Sequence, residues 1–232
     1  MQHVVHLVLI RHGNTAWNQT DRFTGWADIP IVEQGEQQAV EAGRRIAAAG
    51  ITFSEVHTSL LLRTKQTAEI LLAAANHPDI SHHATWRLNE RHYGQLQGMN
   101  KQEILTEWGK HNYHLWWRGY HQPPPALTLD DPRHPHFDPL YALIPTADLP
   151  RSESLQDCQR RLMPWWHDTA TPSLKAGRNL LLVSHGNTIR SLVMHLDHIE
   201  AADIEHVEIP SGVPLVYRFD KAMVVTGKEW LA

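Results

Sequence analysis

Two histidines, each followed by glycine, stand directly behind two short apolar runs of the sequence. His12 follows residues 4–10 in an Arg-His-Gly tripeptide, and His185 follows residues 180–184 in a His-Gly dipeptide. An uninterrupted apolar run of this length is typical of a strand buried on both faces of a parallel sheet. Because the carboxyl ends of parallel strands lie at the same edge of a sheet, we expect both histidines at one site. One histidine at a strand end would more often be structural, and the repeated pattern favours a functional role.

The residues around these histidines suit phosphoryl transfer. The guanidinium groups of Arg11, Arg63 and Arg118 are planar, permanently charged donors that match phosphate oxygens. A neutral imidazole with one ring nitrogen held by a hydrogen bond can attack phosphorus with the other nitrogen. We therefore expect His12 to be the nucleophile and to form a phosphohistidine. The expected donors to the transferring phosphoryl group are Arg11, Arg63, His185 and the backbone amide of Asn187.

The leaving oxygen needs a proton donor, and Glu90 in the segment 88–94 (LNERHYG) is the candidate. The alternative for Glu90 is a surface ion pair with the adjacent Arg91, which alone would be the commoner case. Arg63 is expected in the first turn of a helix, where a positive side chain opposes the helix dipole unless an anion binds. Arginines and histidines already supply the positive charge that magnesium supplies elsewhere, so we expect no metal.

The composition is that of an ordinary globular protein with a small-molecule partner. Of 232 residues, 42% are hydrophobic and 20% charged, and the formal net charge of −4 offers no footprint for nucleic acid. No apolar stretch is long enough for a membrane span, and no signal peptide is expected. Cys158 is the only cysteine, which excludes an intrachain disulfide and a cysteine-ligated zinc site and favours a cytoplasmic setting. The sequence does not determine the oligomeric state, and a homo-oligomer is one of the states it allows.

The apolar patterns predict a single domain over residues 1–232, with a three-layer α/β/α fold around a mainly parallel central sheet. Strands are expected at 4–10, within 51–59, and at 84–88, 180–184, 215–219 and 223–226. Helices are expected at 35–50, 60–75, 101–108, 154–176, 187–196 and 201–207, with a kink or break at Pro164. Residues 120–150 are rich in proline without a clear period, which indicates an insertion over the sheet, often a lid.

These motifs together resemble the histidine phosphatase superfamily and, within it, the 2,3-bisphosphoglycerate-dependent phosphoglycerate mutases. The Arg-His-Gly tripeptide alone would indicate only the superfamily, whereas the segment 88–94 with the downstream Lys101 points to the mutases. The resemblance covers nearly the whole chain. Its further motifs are Trp17-Asn18, residues 22–26, Arg63, Leu96, Gly98, Asn100-Lys101, residues 123–125, 153–155, 185–187 and 210–217.

The resemblance implies a role for each matching residue. His12 would be the phosphorylated nucleophile, Glu90 the proton donor and His185 the stabiliser of the transition state. The transferred phosphoryl group would be held by Arg11, Asn18, Arg63, Gly186 and Asn187. The glycerate and its second phosphate would be held by Thr24, Gly25, Arg91, Tyr93, Lys101 and Arg118. The implied reaction interconverts 2-phosphoglycerate and 3-phosphoglycerate, as in glycolysis and gluconeogenesis, with 2,3-bisphosphoglycerate as the primer.

Two alternatives use the same residues. A histidine phosphatase would pass the phosphoryl group to water and hydrolyse bisphosphoglycerate or other phosphate monoesters. A catalytically silent sensor of phosphorylated ligands is disfavoured because His12, Glu90 and His185 are all present.

The chain departs from the mutase pattern in three places. Asn14 and Thr15 stand where the family usually has Glu-Ser, which keeps a hydroxyl and loses a carboxylate. Trp117 precedes Arg118 where the family has two arginines, and the sequence stops at Ala232 where mutases usually continue into a tail. From the last two departures we expect mutase activity with a raised Michaelis constant and a measurable bisphosphoglycerate phosphatase leak.

Overall fold

The structure is a computed structural model that describes residues 4–77 and 79–232. Its strands are β1 (Val5–Arg11), β2 (Glu55–Thr58), β3 (His82–Ala84), β4 (Leu180–Ser184), β5 (Leu215–Phe219) and β6 (Val225–Trp230). Its α-helices are α1 (Ala16–Gln19), α2 (Glu33–Ala48), α3 (Leu62–Ala74), α4 (Lys101–Trp117), α5 (Leu155–Trp165), α6 (Thr171–Lys175) and α7 (Gly186–Leu196). No helix among these residues is long and apolar enough to cross a membrane.

The strands form one sheet in the order β3-β2-β4-β1-β5-β6. The pairs β1–β4, β4–β2 and β2–β3 are parallel, whereas β5 runs antiparallel to both β1 and β6. The predicted mainly parallel sheet is thus confirmed, with an antiparallel edge. β1 and β4 are neighbours, and Arg11 lies opposite Ser184 at their carboxyl ends. This register brings the two His-Gly motifs together, as the apolar runs predicted.

Helices cover both faces of the sheet. Leu7 and Leu9 of β1 pack with side chains of α5 and α7, whereas Val8 and Ile10 pack with side chains of α2 and α3. This alternation follows from the strand period of two and produces the predicted α/β/α layers. All four side chains are fully buried or nearly so, and such burial stabilises by roughly 1.5–3 kcal/mol per side chain. The edge that carries the site is therefore anchored in the core.

Two predicted elements are wrong. Residues 84–88 do not form a strand, because β3 ends at Ala84 and Trp86–Leu88 is a 3₁₀ turn. The hydroxyl of Thr85 accepts a hydrogen bond from the amide of Arg87, which favours the turn over an extended chain. Residues 201–207 form only the 3₁₀ turn Ile204–His206, since this short segment has no side-chain cap and few apolar anchors.

Other boundaries differ by several residues. The helix predicted at 101–108 continues to Trp117, across a kink where Gly109 has a φ of 78°. The interruption predicted at Pro164 is confirmed, because α5 gives way to the π-helical segment Trp166–Ala170 before α6 begins. Proline cannot donate to the preceding turn, which explains the change of hydrogen-bonding pattern. The last strand begins at Val225, later than predicted, because Met223 adopts a positive φ of 63° in the preceding turn.

Candidate active site

The carboxyl ends of β1 and β4 open into a cavity of about 750 Å³, its open mouth included. The ring centroids of His12 and His185 lie 5.1 Å apart at this edge, with the rings edge to face. Most of the predicted site residues line the cavity: Arg11, His12, Asn18, Thr24, Gly25, Arg63, Glu90, Tyr93, Lys101, Arg118, Gly186 and Asn187. His185 and Arg91 do not, and both are fully buried behind its wall.

His12 is oriented for attack. Its Nδ1 lies 2.7 Å from the carbonyl oxygen of Gly13, so the Nδ1–H donates there and the lone pair lies on Nε2. Gly13 must be glycine, since a Cβ there would lie 2.3 Å from the carbonyl oxygen of Gly35. Burial, followed by the charges of Arg63 and Arg11, lowers the pKa of His12 well below 6.5. Nucleophilic attack requires a neutral imidazole with one nitrogen hydrogen-bonded and the other free, and His12 has this form.

His185 makes hydrogen bonds through both ring nitrogens. Its Nδ1 accepts from Nε of Arg63 at 3.3 Å, and its Nε2 donates to Oγ of Ser59 at 2.8 Å. Burial, followed by the charges of Arg63, lowers the pKa of His185 well below 6.5. His185 is thus neutral and braces Arg63 in this state. Direct donation to a phosphoryl group would need a proton on Nδ1, which would displace Nε of Arg63.

Arg63 connects the helical layer to the loop above it. It lies in the first turn of α3, as predicted, and its terminal nitrogens donate to the carbonyl oxygens of Ala27 and Gly25, both at 2.8 Å. Burial lowers the pKa of Arg63 to about 10, against the opposing effect of Glu90, so the side chain stays charged near neutral pH. A charged, buried guanidinium at the cavity wall is suited to bind an anion.

Glu90 is not a surface residue, and the ion-pair interpretation is wrong. Its side chain lines the cavity with 9% exposed, while the guanidinium of Arg91 donates to Oη of Tyr93 and the carbonyl oxygen of Trp117. Oε1 of Glu90 accepts from the amides of Arg91 at 2.9 Å and Asn187 at 3.1 Å. The Asn187 amide was expected to bind the phosphoryl group. In the structure it donates to the Glu90 carboxylate, which thereby caps the N-terminus of α7.

Arg91 supports the site from behind. Its Cζ lies 4.7 Å from the centroid of the Tyr93 ring, and Tyr93 itself lines the cavity. Arg91 thus lies behind the cavity lining, and its contact with substrate stays a prediction. Oη of Tyr93 also accepts from Nδ2 of Asn187 at 2.9 Å, which connects the 88–94 segment to α7.

Two cationic side chains in the cavity lining lie close to the ring of Trp117. Nζ of Lys101 lies 5.3 Å from the centroid of the Trp117 ring, and Cζ of Arg118 lies 5.2 Å from the same ring. Each cation also has an acidic partner: Asp21 for Lys101 and Glu208 for Arg118. The indole that replaces an expected arginine therefore organises the cations beside it.

Several lining residues were not among the predicted site residues: Arg22, Phe23, Trp117, Arg190, Glu208 and Ile209. Nη1 of Arg190 donates to Oδ1 of Asn187 at 3.0 Å, and Nη2 donates to the carbonyl oxygen of Arg118. Burial, followed by Arg91 and Arg118, lowers the pKa of Arg190 to about 10. Its spacing of three from Asn187 on α7 places the two on one helix face, and this signal was available in the sequence.

The insertion at 120–150 contributes no lining residue to the cavity. It packs instead against the loop that carries the site, where Tyr141 and Leu149 form a cluster with Trp26. Oη of Tyr141 accepts from Nδ2 of Asn89 at 2.8 Å, next to Glu90. In this structure the insertion is a brace for the 88–94 segment, and the expected lid is not observed.

The charge of the cavity is opposite to that of the chain. Six cationic side chains (Arg11, Arg22, Arg63, Lys101, Arg118 and Arg190) line it with two carboxylates, Glu90 and Glu208. This balance of +4 contrasts with a net charge of −4 for the whole sequence. Within residues 4–77 and 79–232, no group of three or more His, Cys, Asp or Glu side chains could hold a metal ion. The lining thus fits a small polyanion such as a bisphosphorylated acid.

Comparison with known proteins places this geometry in a family. A model of the histidine phosphatase superfamily (branch 1) matches residues 7–223. A 2,3-bisphosphoglycerate-dependent phosphoglycerate mutase of Thermobifida fusca is 45% identical over 227 residues, which cover 97% of this chain and 92% of the relative. A protein of the same name from Nitratidesulfovibrio vulgaris is 42% identical over 220 residues, 95% of this chain and 88% of the relative.

Solved structures share the fold at lower identity. Mycobacterial glucosyl-3-phosphoglycerate phosphatase complexed with VO3 superposes with a TM-score of 0.71 at 22% identity, over 92% of each chain. Phosphoglycerate mutase from Bacillus anthracis superposes with a TM-score of 0.69 at 22% identity, over 97% of this chain and 92% of the other. The chain therefore belongs to the histidine phosphatase superfamily and, within it, to the family of the 2,3-bisphosphoglycerate-dependent phosphoglycerate mutases.

Proposed function

We propose that the protein interconverts 2-phosphoglycerate and 3-phosphoglycerate through a phosphohistidine on His12, primed by 2,3-bisphosphoglycerate. The proposal rests on the names of the two relatives above 40% identity and on one geometric observation. The observation is that a neutral His12, held through Nδ1, shares a cavity with Glu90 and six cationic side chains.

In the first half of the reaction, Nε2 of His12 attacks the phosphorus of the bound phosphate ester. The bond from phosphorus to the glycerate oxygen breaks, and that oxygen takes a proton from the carboxyl group of Glu90. Arg11 and Arg63 neutralise the charge on the equatorial oxygens as the phosphoryl group passes across. In the second half, Glu90 takes a proton from the accepting hydroxyl, and the phosphoryl group leaves His12 for that oxygen.

A mutase must hold the bisphosphorylated intermediate while it reorients and must keep water from the phosphohistidine. Lys101 and Arg118 can hold the phosphate that is not reacting, while Arg11 and Arg63 hold the one that is. Because one cavity holds cations enough for two phosphates, either phosphate of the intermediate can face His12 while the other stays bound. The number of cations in the lining supports a ligand with two phosphates.

A paired assay tests the proposal. Formation of 2-phosphoglycerate from 3-phosphoglycerate and release of inorganic phosphate are measured on the same preparation, with and without 2,3-bisphosphoglycerate. We expect primer-dependent isomerisation that greatly exceeds phosphate release, and loss of both in His12→Ala. Phosphate release that equals or exceeds isomerisation would instead identify a phosphatase.

A further inference from the structure

A buried ion pair lies behind Glu90, outside the cavity. Nε of Arg161 donates to Oε1 of Glu153 at 2.6 Å, and Nη2 donates to Oε2 at 2.9 Å. The side chains are 5% and 4% exposed, respectively, and neither lines the cavity. Two charges removed from water in this way stabilise little on balance, because desolvation offsets most of their attraction. Their other contacts therefore indicate what the pair does.

Arg161 holds the backbone that leads into Glu90. Nη1 donates to the carbonyl oxygens of Trp86 and Arg87 at 3.0 and 2.8 Å. Nη2 donates to the carbonyl oxygens of Asn89 and Glu90 at 3.1 and 3.0 Å. One guanidinium thus binds four carbonyl groups of the five residues that end at Glu90.

Glu153 holds the backbone on the other side of Glu90. Its Oε2 accepts from the amide of His92 at 2.8 Å, and its own amide donates to the carbonyl oxygen of His92, also at 2.8 Å. Nε1 of Trp26 adds a bond to the carbonyl oxygen of Glu90, and Cζ of Arg161 lies 5.5 Å from the Trp26 ring. The main chain is therefore fixed immediately before, at and after Glu90.

We propose that Glu153 and Arg161 are positioning residues for the proton transfer by Glu90. The inference deepens the proposed function and rests on the assignment of Glu90 as proton donor. Residues 89–92 follow the 3₁₀ turn Trp86–Leu88 and belong to no helix or strand, so their carbonyl groups need donors from elsewhere. Arg161 donates to those of Asn89 and Glu90. A carboxyl group must lie within hydrogen-bond reach of the leaving oxygen, and a small displacement of its backbone removes that reach.

The leaving group distinguishes positioning from general support of the fold. In the glycerate reaction a monophosphoglycerate leaves from 2,3-bisphosphoglycerate, the phosphorus–oxygen bond breaks and the oxygen takes the proton of Glu90. When p-nitrophenolate leaves from p-nitrophenyl phosphate, the electron pair stays on a stabilised phenolate and no proton is needed. Both substrates transfer phosphoryl to Nε2 of His12. A displaced Glu90 therefore slows the glycerate reaction and spares the aryl reaction, whereas loss of folded protein slows both equally.

The test compares single-turnover rates with enzyme in excess over each substrate, 2,3-bisphosphoglycerate and p-nitrophenyl phosphate. Arg161→Lys keeps the positive charge but cannot reach four carbonyl groups, and Glu153→Gln keeps the shape and one oxygen acceptor. Arg160→Lys is the matched control. Arg160 directly precedes Arg161 on α5, and its exposed side chain pairs with Asp157. Glu90→Gln reports the full effect of losing the acid.

We expect the two clamp variants, Arg161→Lys and Glu153→Gln, to slow the glycerate reaction about tenfold or more, within the hundredfold or greater loss expected for Glu90→Gln. The aryl reaction should change less than about threefold in all of them, and Arg160→Lys should match the wild type. The ratio of the two rates does not depend on the folded fraction.

Equal slowing of both reactions in the clamp variants, or failure of both to fold, would overturn the positioning role and leave a structural one. If Glu90→Gln itself spares the glycerate reaction, the proton-donor assignment fails. If Glu90→Gln slows the glycerate reaction and the clamp variants do not, the proton-donor assignment stands and only the positioning role is overturned.

Discussion

Replacement of Trp117 by leucine should weaken binding of the bisphosphorylated ligand without unfolding the protein. The indole lies between Lys101 and Arg118, with the cationic groups 5.3 and 5.2 Å from the ring centroid. Each cation–π contact at a partly exposed position stabilises by about 0.5–1 kcal/mol. Without the ring, Lys101 and Arg118 can turn toward Asp21 and Glu208, which are already their partners. Loss of both contacts, about 1–2 kcal/mol, corresponds to roughly a five- to thirtyfold weaker affinity.

Equilibrium titration with 2,3-bisphosphoglycerate and the Michaelis constant for 3-phosphoglycerate measure this effect. Trp117→Phe keeps an aromatic face and should lose less affinity than Trp117→Leu. Trp108→Leu removes an indole from the same helix, where Trp108 packs edge to face against Trp116 outside the cavity, and should leave affinity unchanged. Unchanged affinity in Trp117→Leu would refute the cation-organising role.

Trp117→Arg tests the departure from the family pattern. From the sequence, an arginine here would restore a phosphate contact and lower the Michaelis constant, unless the indole has acquired a packing role. The structure shows that role, because Trp117 packs beside the cluster formed by Phe23, Tyr93 and Trp116. A third cation would also lie close to two others, which repel it in the absence of ligand. We therefore expect a lower thermal midpoint without ligand, and a midpoint equal to the wild type would contradict this.

Three further outcomes follow from the site. Prolonged chelation with EDTA should leave isomerisation intact, since arginines supply the positive charge; activity restored only by one divalent ion would contradict this. Burial lowers the pKa of His12 and His185 well below 6.5 and that of His92 to about 3, so the unfolded chain binds more protons below pH 6.5. Stability should therefore fall as the pH decreases below about 6.5, approaching roughly 1.4 kcal/mol per pH unit for each such imidazole, and urea midpoints at pH 7 and pH 5.5 check it. Phosphate release from 2,3-bisphosphoglycerate should be measurable above a His12→Ala background, and its absence would show that the cavity excludes water.

The part of the site that could be predicted from the sequence is the part built on strands. The apolar run at 180–184 became β4 with the same bounds, and that at 4–10 became β1 with a shift of one residue. Local periodicity decides such buried strands, and the parallel arrangement then places His12 beside His185. The long-range partners could not be predicted in this way, because they depend on how loops and helices pack.

The Asn187 amide shows the limit of motif-based prediction. A helix N-terminus beside a phosphate-binding motif predicts an amide that faces the anion. In the structure, Glu90 comes from a segment nearly a hundred residues earlier in the chain and accepts that hydrogen bond. The same holds for Glu153, which enters only through the family motif at 153–155, and for Arg161, which belongs to no motif. Their role is visible only in the carbonyl and amide groups they bind.

In the proposed reaction, His12 carries the phosphoryl group from one glycerate oxygen to the other. The most direct measurement is mass spectrometry at neutral pH of protein treated with 2,3-bisphosphoglycerate, followed by addition of 3-phosphoglycerate. We predict an acid-labile phosphoryl group on His12, close to one per chain, that 3-phosphoglycerate removes as it becomes bisphosphoglycerate. If no phosphoryl group is found on His12, or if only water removes it, His12 is not the carrier between the two oxygens.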